Sequence, residues 1–453
     1  MGSPVPISWE WPHVGTNQLA AAARRYQPVG SGHTPVPTSG EWPFTSSNQL
    51  GVTLSGTNQL AVAAQRYQPR LSAEVEVTAY LDCNATTPLD PEVKAVLLRY
   101  LEEEYGNAGS RTHDYGARAL QAVQRAREQV AAVVGAKRDE VIFTSGATEA
   151  NNLAILGLAP YGEKTGRRHL VSTAIEHKAV LEPLQLLKER GFELTLVPPT
   201  PGGWVDPAAI RAAVRPDTLL VSVMHVNNET GVLQPLGEIC RELADHLPYL
   251  HVDAAQGFGK ELKALKSPRI DLMSVSGHKI YAPKGVGALV ARRRGYERTP
   301  LSPLMVGGGQ ERGLRPGTVP VPLVAALGMA AELAVKNHVH RQKKVRQLQE
   351  EALAAFLPLG AISHGELTRS LPHVLNLSLP GVDSEAVMVA WKGLAAVSNG
   401  AACTSHSYSA SHVLQAMQLP EESVRAAIRI SWCHLTENVP WSEMAKAVQG
   451  LMR

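Results

Sequence analysis

The 453-residue chain is 44% apolar and 19% charged, with a net charge of +3 at pH 7. That balance is ordinary for a soluble globular protein and gives no electrostatic case for nucleic-acid binding. No run of about 18 apolar residues occurs, so no membrane-spanning helix is expected. The four cysteines, Cys83, Cys240, Cys403 and Cys433, lie far apart and form no Cys-x-x-Cys pair. This speaks against a zinc site or a disulfide scaffold and for a reducing cytoplasm.

Residues 1–78 carry an internal repeat. The run GTNQLAAAARRYQP from Gly15 to Pro28 returns as GTNQLAVAAQRYQP from Gly56 to Pro69, with a broken copy at Ser47-Asn48-Gln49-Leu50 between them. Each unit is too short to be a stable helix alone, so the segment reads as a disordered extension outside the enzyme fold, with a partner-docking arm as the alternative. From residue 78 the pattern becomes globular. Helices are predicted over 88–105 and 114–134, the second with apolar Leu120, Val123, Val130 and Val134 on one face. Strands over 140–144, 169–173, 193–197, 219–225, 249–252, 271–275 and 286–291 then alternate with helices over 148–158, 178–190, 206–214 and 236–246. This alternation predicts a mostly parallel, seven-stranded sheet covered on both faces, with ligands at the carboxyl ends of the strands. A helical stretch over 320–356, bent near Lys336-Asn337, leads into short strands and helices that suit a small α+β lobe. The expected organisation is residues 79–94 as a segment packing with the small domain, 95–335 as the large domain, and 336–453 as linker helix and small C-terminal domain.

Three strand ends carry chemistry. Ser274-Val275-Ser276-Gly277-His278-Lys279 closes one apolar strand on a lysine. A lysine there is ordinarily a surface cap, but in an uncharged patch its amine loses solvation and can condense with an aldehyde cofactor. His251-Val252-Asp253-Ala254-Ala255-Gln256 ends another strand on an acid, which pyridoxal phosphate needs beside its ring nitrogen. Phe143-Thr144-Ser145-Gly146-Ala147-Thr148-Glu149 is strand, glycine turn and helix start, a local arrangement that points amide groups at a phosphate. A fourth stretch, Ser398-Asn399-Gly400-Ala401-Ala402-Cys403-Thr404-Ser405, is small, polar and glycine-bearing, which suits a cysteine that must move.

Together with Tyr80-Leu81-Asp82, Glu176-His177-Lys178-Ala179-Val180, Asn227-Asn228-Glu229-Thr230-Gly231, Arg315-Pro316-Gly317-Thr318 and Arg429-Ile430-Ser431, these stretches make residues 79 to about 435 resemble the NifS/IscS-type cysteine desulfurases of the class-V aminotransferase family. The resemblance implies a fold-type I pyridoxal-phosphate (PLP) enzyme that converts L-cysteine to L-alanine. It implies Lys279 as the residue that condenses with the cofactor and takes the Cα proton, and Cys403 as the nucleophile that receives sulfur as a persulfide. His177 would stack on the cofactor ring and move protons. Asp253 would pair with the ring nitrogen and Gln256 with the ring hydroxyl, while Ala147, Thr148, Ser276 and His278 would form the phosphate cup. Asn228 and Arg429 would hold the substrate carboxylate. Thr318 would reach the phosphate of a neighbouring subunit, which makes a homodimer the expected form. Pro316 stands where the family usually has serine.

The sulfur would pass to an acceptor protein of iron–sulfur assembly or of DNA or tRNA thiolation. Ile430-Ser431-Trp432-Cys433-His434 and the short tail after Arg429 look most like the branch that serves DNA phosphorothioation. A selenocysteine lyase is the competing enzyme reading. A non-catalytic sulfur-carrier scaffold would be expected to lack Lys279 or Cys403, and both are present.

Overall fold

Strand β1 (Ala79–Tyr80) opens the described chain and pairs in parallel with a later two-residue strand, Ala395–Ala396. The computed structural model describes residues 78–245, 248–399 and 410–452; the repeat of residues 1–77 and Cys403 lie outside them. Strands β2 (Val141–Thr144), β3 (His169–Thr173), β4 (Glu193–Val197), β5 (Thr218–Met224), β6 (Tyr249–Asp253), β7 (Leu272–Ser276) and β8 (Gly287–Ala291) form one seven-stranded sheet in the order β2-β8-β7-β6-β5-β3-β4. Only β8 runs against its neighbours. Because β8 is antiparallel to both β2 and β7, the carboxyl ends of those two strands face the same way as those of the parallel set. Five of the other six strands are buried throughout, as helices on both faces require. The exception is edge strand β4, which is half exposed.

Apolar residues of the helices Asp114–Val134 and Val321–Lys336 join one face of the sheet in a single core cluster, and the helix Ala147–Thr165 contributes to the cluster on the other. The local chemistry sets the helix ends. Asp90 accepts from the Glu92 amide at 3.0 Å and Pro91 takes the first turn, so the first helix is Pro91–Glu102 rather than 88–105. The helix expected to stop at residue 158, just before Pro160, runs on to Thr165. Proline removes one amide donor and disfavours helix at the residue before it, but Leu158, Ala159 and Gly162 are buried and the packing holds the helix together. The helix expected over 236–246 is shorter, Leu236–Glu242. The stretch over 320–356 is two helices, Val321–Lys336 and His338–Phe356, joined at Asn337.

Strands β9 (Ile362–Ser363), β10 (Val374–Ser378), β11 (Ala395–Ala396), β12 (Ser398–Asn399) and β13 (Ile428–Ser431) follow. Four of them form a smaller antiparallel sheet in the order β12-β13-β10-β9. Its own core contains Trp391, Trp432, Phe356 and Met444 together with Ala79 and Leu81. No helix among the described residues is long and apolar enough to cross a membrane.

Candidate active site

A cavity of about 580 Å³ opens at the carboxyl ends of the large sheet, a size that suits a small-molecule ligand. Ala147, Thr148, His177, Asn228, Asp253, Gln256, Ser276, His278, Lys279 and Arg429 all line it. Of the residues expected in the site, Thr318 is exposed and does not line the cavity.

The turn after β7 places Lys279. A single helical turn, Gly277–Lys279, follows Ser276, and Tyr281 then takes a positive φ of 70°. That backbone conformation is costly for a bulky residue. Tyr281 is held there by the Thr87 hydroxyl, which accepts from its amide at 3.0 Å, and by an edge contact to His434. The half-buried Lys279 ammonium donates to the carbonyls of Asn84 and, at 2.8 Å, Ala85. Next to it, burial and the positive charges of Lys279, Lys284 and Lys260 push the His278 imidazole down to about 4. His278 is therefore neutral at pH 7, with Nδ1 3.1 Å from the Thr86 hydroxyl.

Asp253 is the last residue of β6 and is 6% exposed. One carboxylate oxygen accepts from the Ala255 amide at 2.9 Å and the other from Asn151 Nδ2 at 2.8 Å. Gln256 donates to the Asn84 carbonyl at 3.0 Å, which leaves its buried side-chain oxygen without a protein partner.

The glycine turn after β2 gives the helix Ala147–Thr165 an N-terminus with no side-chain cap, and Gly146, Ala147 and Thr148 line the cavity there. Gly287 allows this turn to lie flat on β8, since a Cβ at that position would stand 2.6 Å from the Gly146 Cα. Glu149 braces the turn by accepting from the Ser145 amide at 2.6 Å and from Arg315 at 2.9 Å. Burial would raise the Glu149 carboxyl, but these hydrogen bonds outweigh it and hold it below the usual range. His177 caps the helix Lys178–Glu189 with Nδ1, which accepts from the Ala179 amide at 3.0 Å. A neutral His177 ring therefore carries its proton on Nε2.

The smaller sheet supplies the remaining cation. Arg429 lies in β13 and is 1% exposed. Its guanidinium donates to Asp82 at 2.8 Å and to the Asn228 carbonyl at 3.1 Å, while its Nε is buried without a partner.

Four contributors were not singled out as site residues from the sequence: Asn151, Asn84, Asp82 and Glu176. Asn151 had a visible signal, a buried amide on an apolar helix face beside Ala150, Leu153 and Ala154. Glu176 is fully buried and accepts from Thr173 at 2.7 Å and the Met224 amide at 2.8 Å. Burial pushes its carboxyl up to about 8.

These residues fit PLP. A buried carboxylate, an uncapped helix start, a half-buried lysine and the unpartnered oxygen of Gln256 match its ring nitrogen, phosphate, aldehyde and ring hydroxyl.

The model of the family described as "Aminotransferase class-V" matches residues 79–438. A human protein named cysteine desulfurase is 44% identical over 378 residues, covering 83% of this chain and 82% of its own. A cysteine desulfurase IscS from Anaeromyxobacter dehalogenans is 45% identical over 358 residues, 78% of this chain and 87% of its own. Among solved structures, DndA from Streptomyces lividans is 51% identical, covers 78% of this chain and 99% of its own, and superposes with a TM-score of 0.69. A NifS-like protein at 35% identity covers 83% and 99% with a TM-score of 0.76.

Proposed function

The chain belongs to the class-V aminotransferase family as a NifS/IscS-type, PLP-dependent cysteine desulfurase, and on that premise we propose how its residues divide the conversion of L-cysteine to L-alanine. The carrying observation is that Lys279, Asp253 and Arg429, from two different sheets, open onto one cavity. Bound PLP supplies the electron sink that loosens the substrate's Cα–H and Cβ–S bonds.

The chain's own groups do the rest. Arg429, aimed by Asp82, and Asn228 bind the substrate carboxylate. Lys279 takes the Cα proton. His177, with Nδ1 committed to the Ala179 amide, holds and releases a proton at Nε2. Asp253, oriented by Asn151, keeps the cofactor ring nitrogen protonated. Thr148, Ser276 and His278 bind its phosphate. Thr318, exposed on the chain, serves the cup of a second copy in a homodimer.

Cys403 receives the sulfur. Its thiol attacks the substrate sulfur, the Cβ–S bond breaks, and one L-cysteine plus one thiol become one L-alanine plus one persulfide. The residues flanking its segment support this. Ser398 pairs opposite Arg429 in the small sheet, and the Ser411 hydroxyl donates to Glu229, next to Asn228. A reducing compartment such as the cytoplasm suits a reaction that needs this thiol free. The 51% identity to DndA favours an acceptor in DNA phosphorothioation over one in iron–sulfur assembly.

The test is alanine release from L-cysteine by the PLP-loaded chain, beside a Cys403→Ser variant and with L-selenocysteine in parallel. Alanine from cysteine that vanishes in Cys403→Ser is the expected result. Alanine from selenocysteine alone would make the chain a selenocysteine lyase. None from either would leave a scaffold.

A further inference from the structure

Cys83 and Cys433 are buried free thiols that the reaction above does not use. Backbone pairing brings them together. Asp82 bridges Ser431 in parallel register, the Cys83 amide donates to the Ser431 carbonyl at 3.0 Å, and the Ser431 amide donates to Leu81 at 2.8 Å. Adjacent strands lie about 5 Å apart, within the Cα separation a disulfide spans. The two thiols are hydrogen-bonded to each other, Tyr281 packs against both, and the Thr436 hydroxyl lies 3.7 Å from the Cys433 sulfur.

Lys260 is the unusual neighbour. It is 9% exposed, and its Nζ lies 3.2 Å from His373 Nε2. Burial and the Lys260 charge hold the His373 imidazole well below its ordinary range, so the ring is neutral and accepts from the ammonium. Among the described residues no carboxylate forms an ion pair with Lys260. A buried ammonium without a counterion is costly, and the counterion the fold supplies is sulfur. The hydrogen bond from Cys83 brings the Cys433 thiol down to about 7 against the effect of burial, with Thr436 and Lys260 assisting. That same hydrogen bond and burial push the Cys83 thiol up. Burial brings Lys260 itself down to about 8. Lys260, Tyr281, Arg341 and His373 also line a cavity of about 20 Å³, room for one water-sized molecule.

We propose that Cys83 and Cys433 form a second sulfur site, a dithiol that a small peroxide oxidises to a disulfide through the Lys260-paired thiolate of Cys433. The Cys433 sulfur attacks one peroxide oxygen and the O–O bond breaks. The departing hydroxide takes a proton from Lys260 and leaves as water, so Cys433 becomes a sulfenic acid. The Cys83 thiol then attacks that sulfur, the S–S bond forms, the S–O bond breaks, and a second water leaves with the Cys83 proton. Two thiols are oxidised, one hydrogen peroxide is reduced to two waters, and Lys260 ends neutral beside a neutral disulfide. The cross-link adjoins Asp82, which aims Arg429, and Asn84, whose carbonyl accepts from Lys279. It is therefore a redox input to the substrate-carboxylate site. This coupling rests on the role given to Arg429; the cross-link does not.

The PLP-loaded full chain is treated with hydrogen peroxide, alkylated under denaturing conditions, and mapped without reduction by mass spectrometry. A Cys83–Cys433 linked peptide that dithiothreitol reverses is expected, forming roughly tenfold more slowly in Lys260→Met. In Cys83→Ala, which lacks the partner thiol, Cys433 is expected to be trapped as sulfenic acid by dimedone. Recovery of both cysteines fully alkylated at doses that oxidise Cys403 would overturn the site. Cross-linking at an unchanged rate in Lys260→Met would overturn the part given to Lys260. In the Cys403→Ser chain, oxidation is expected to shift half-saturation by L-cysteine, read from cofactor absorbance, at least about threefold. An unchanged value alongside a formed cross-link would sink the coupling alone.

Discussion

The cavity has two walls built on different principles. On the large-sheet side, Asp253, Ser276, His177 and Lys279 stand at strand or helix ends, where the backbone itself supplies most of the hydrogen bonds. On the small-sheet side, Arg429 sits inside a strand at 1% exposure and depends on one carboxylate, Asp82. Backbone donors survive a side-chain change nearby, whereas a buried ion pair does not survive loss of a partner. The large-sheet wall should therefore lose chemistry before it loses structure, and the small-sheet wall should lose both together.

Asp82→Ala tests that contrast most severely. It leaves the Arg429 guanidinium buried without its counter-charge, a change worth about 3–5 kcal/mol for a fully buried pair. The Asp82 side chain keeps 19% exposure, which places the expected loss near the lower figure, about 3 kcal/mol. The melting temperature should fall, and KM for L-cysteine should rise by at least tenfold because the carboxylate fork is no longer aimed. A variant with native melting and native KM would show that Asp82 does not orient Arg429.

The two walls also differed in how far the sequence revealed them. Each large-sheet residue belongs to a contiguous strand–turn motif, so Lys279, Asp253 and the Gly146 turn could be assigned from a few neighbours each. The sheet itself was legible for the same reason, since alternating apolar runs and polar helices mark a buried parallel arrangement. The small-sheet wall depends on pairings across the chain: Asp82 meets Arg429 over 347 positions. Nothing local to Asp82 announces that partner. The two-residue strands β1, β9, β11 and β12 likewise carry no periodicity, being shorter than one alternation of the pattern. Pro160 misled in the other direction, because a local rule about proline gave way to the tertiary packing of Leu158 and Gly162.

Glu176 sharpens the comparison on the large-sheet side. Its carboxyl ionises near 4.5 when unfolded and near 8 in the fold, where burial opposes the charge. A raised acid holds its proton more tightly in the folded state. Its stabilisation is therefore complete below pH 4.5 and is lost as pH climbs towards 8. The loss is on the order of a few kcal/mol. Glu176→Gln stays neutral throughout, so its melting temperature should decline less than the native chain's between pH 5 and 8.5. Parallel curves for the two chains would mean that Glu176 is already ionised at the lower pH.

The smallest effect is expected where one side chain orients another without any net charge change. Asn151 donates to Asp253 at 2.8 Å, and both are buried. In Asn151→Leu the volume is nearly kept, while one carboxylate oxygen loses its only side-chain donor and retains no water in exchange. An unmet buried acceptor costs about 1–3 kcal/mol. The second oxygen still has the Ala255 amide at 2.9 Å, so the carboxylate should remain in place but ionise less readily. Because protonating Asp253 would remove the charge that keeps the cofactor ring nitrogen protonated, the acid limb of the kcat profile should move to higher pH while KM for L-cysteine stays within about twofold. A rise in KM with an unmoved acid limb would mean that Asn151 shapes the pocket rather than tuning the acid, and the large-sheet wall would then rely on side-chain pairing as much as the small-sheet wall does.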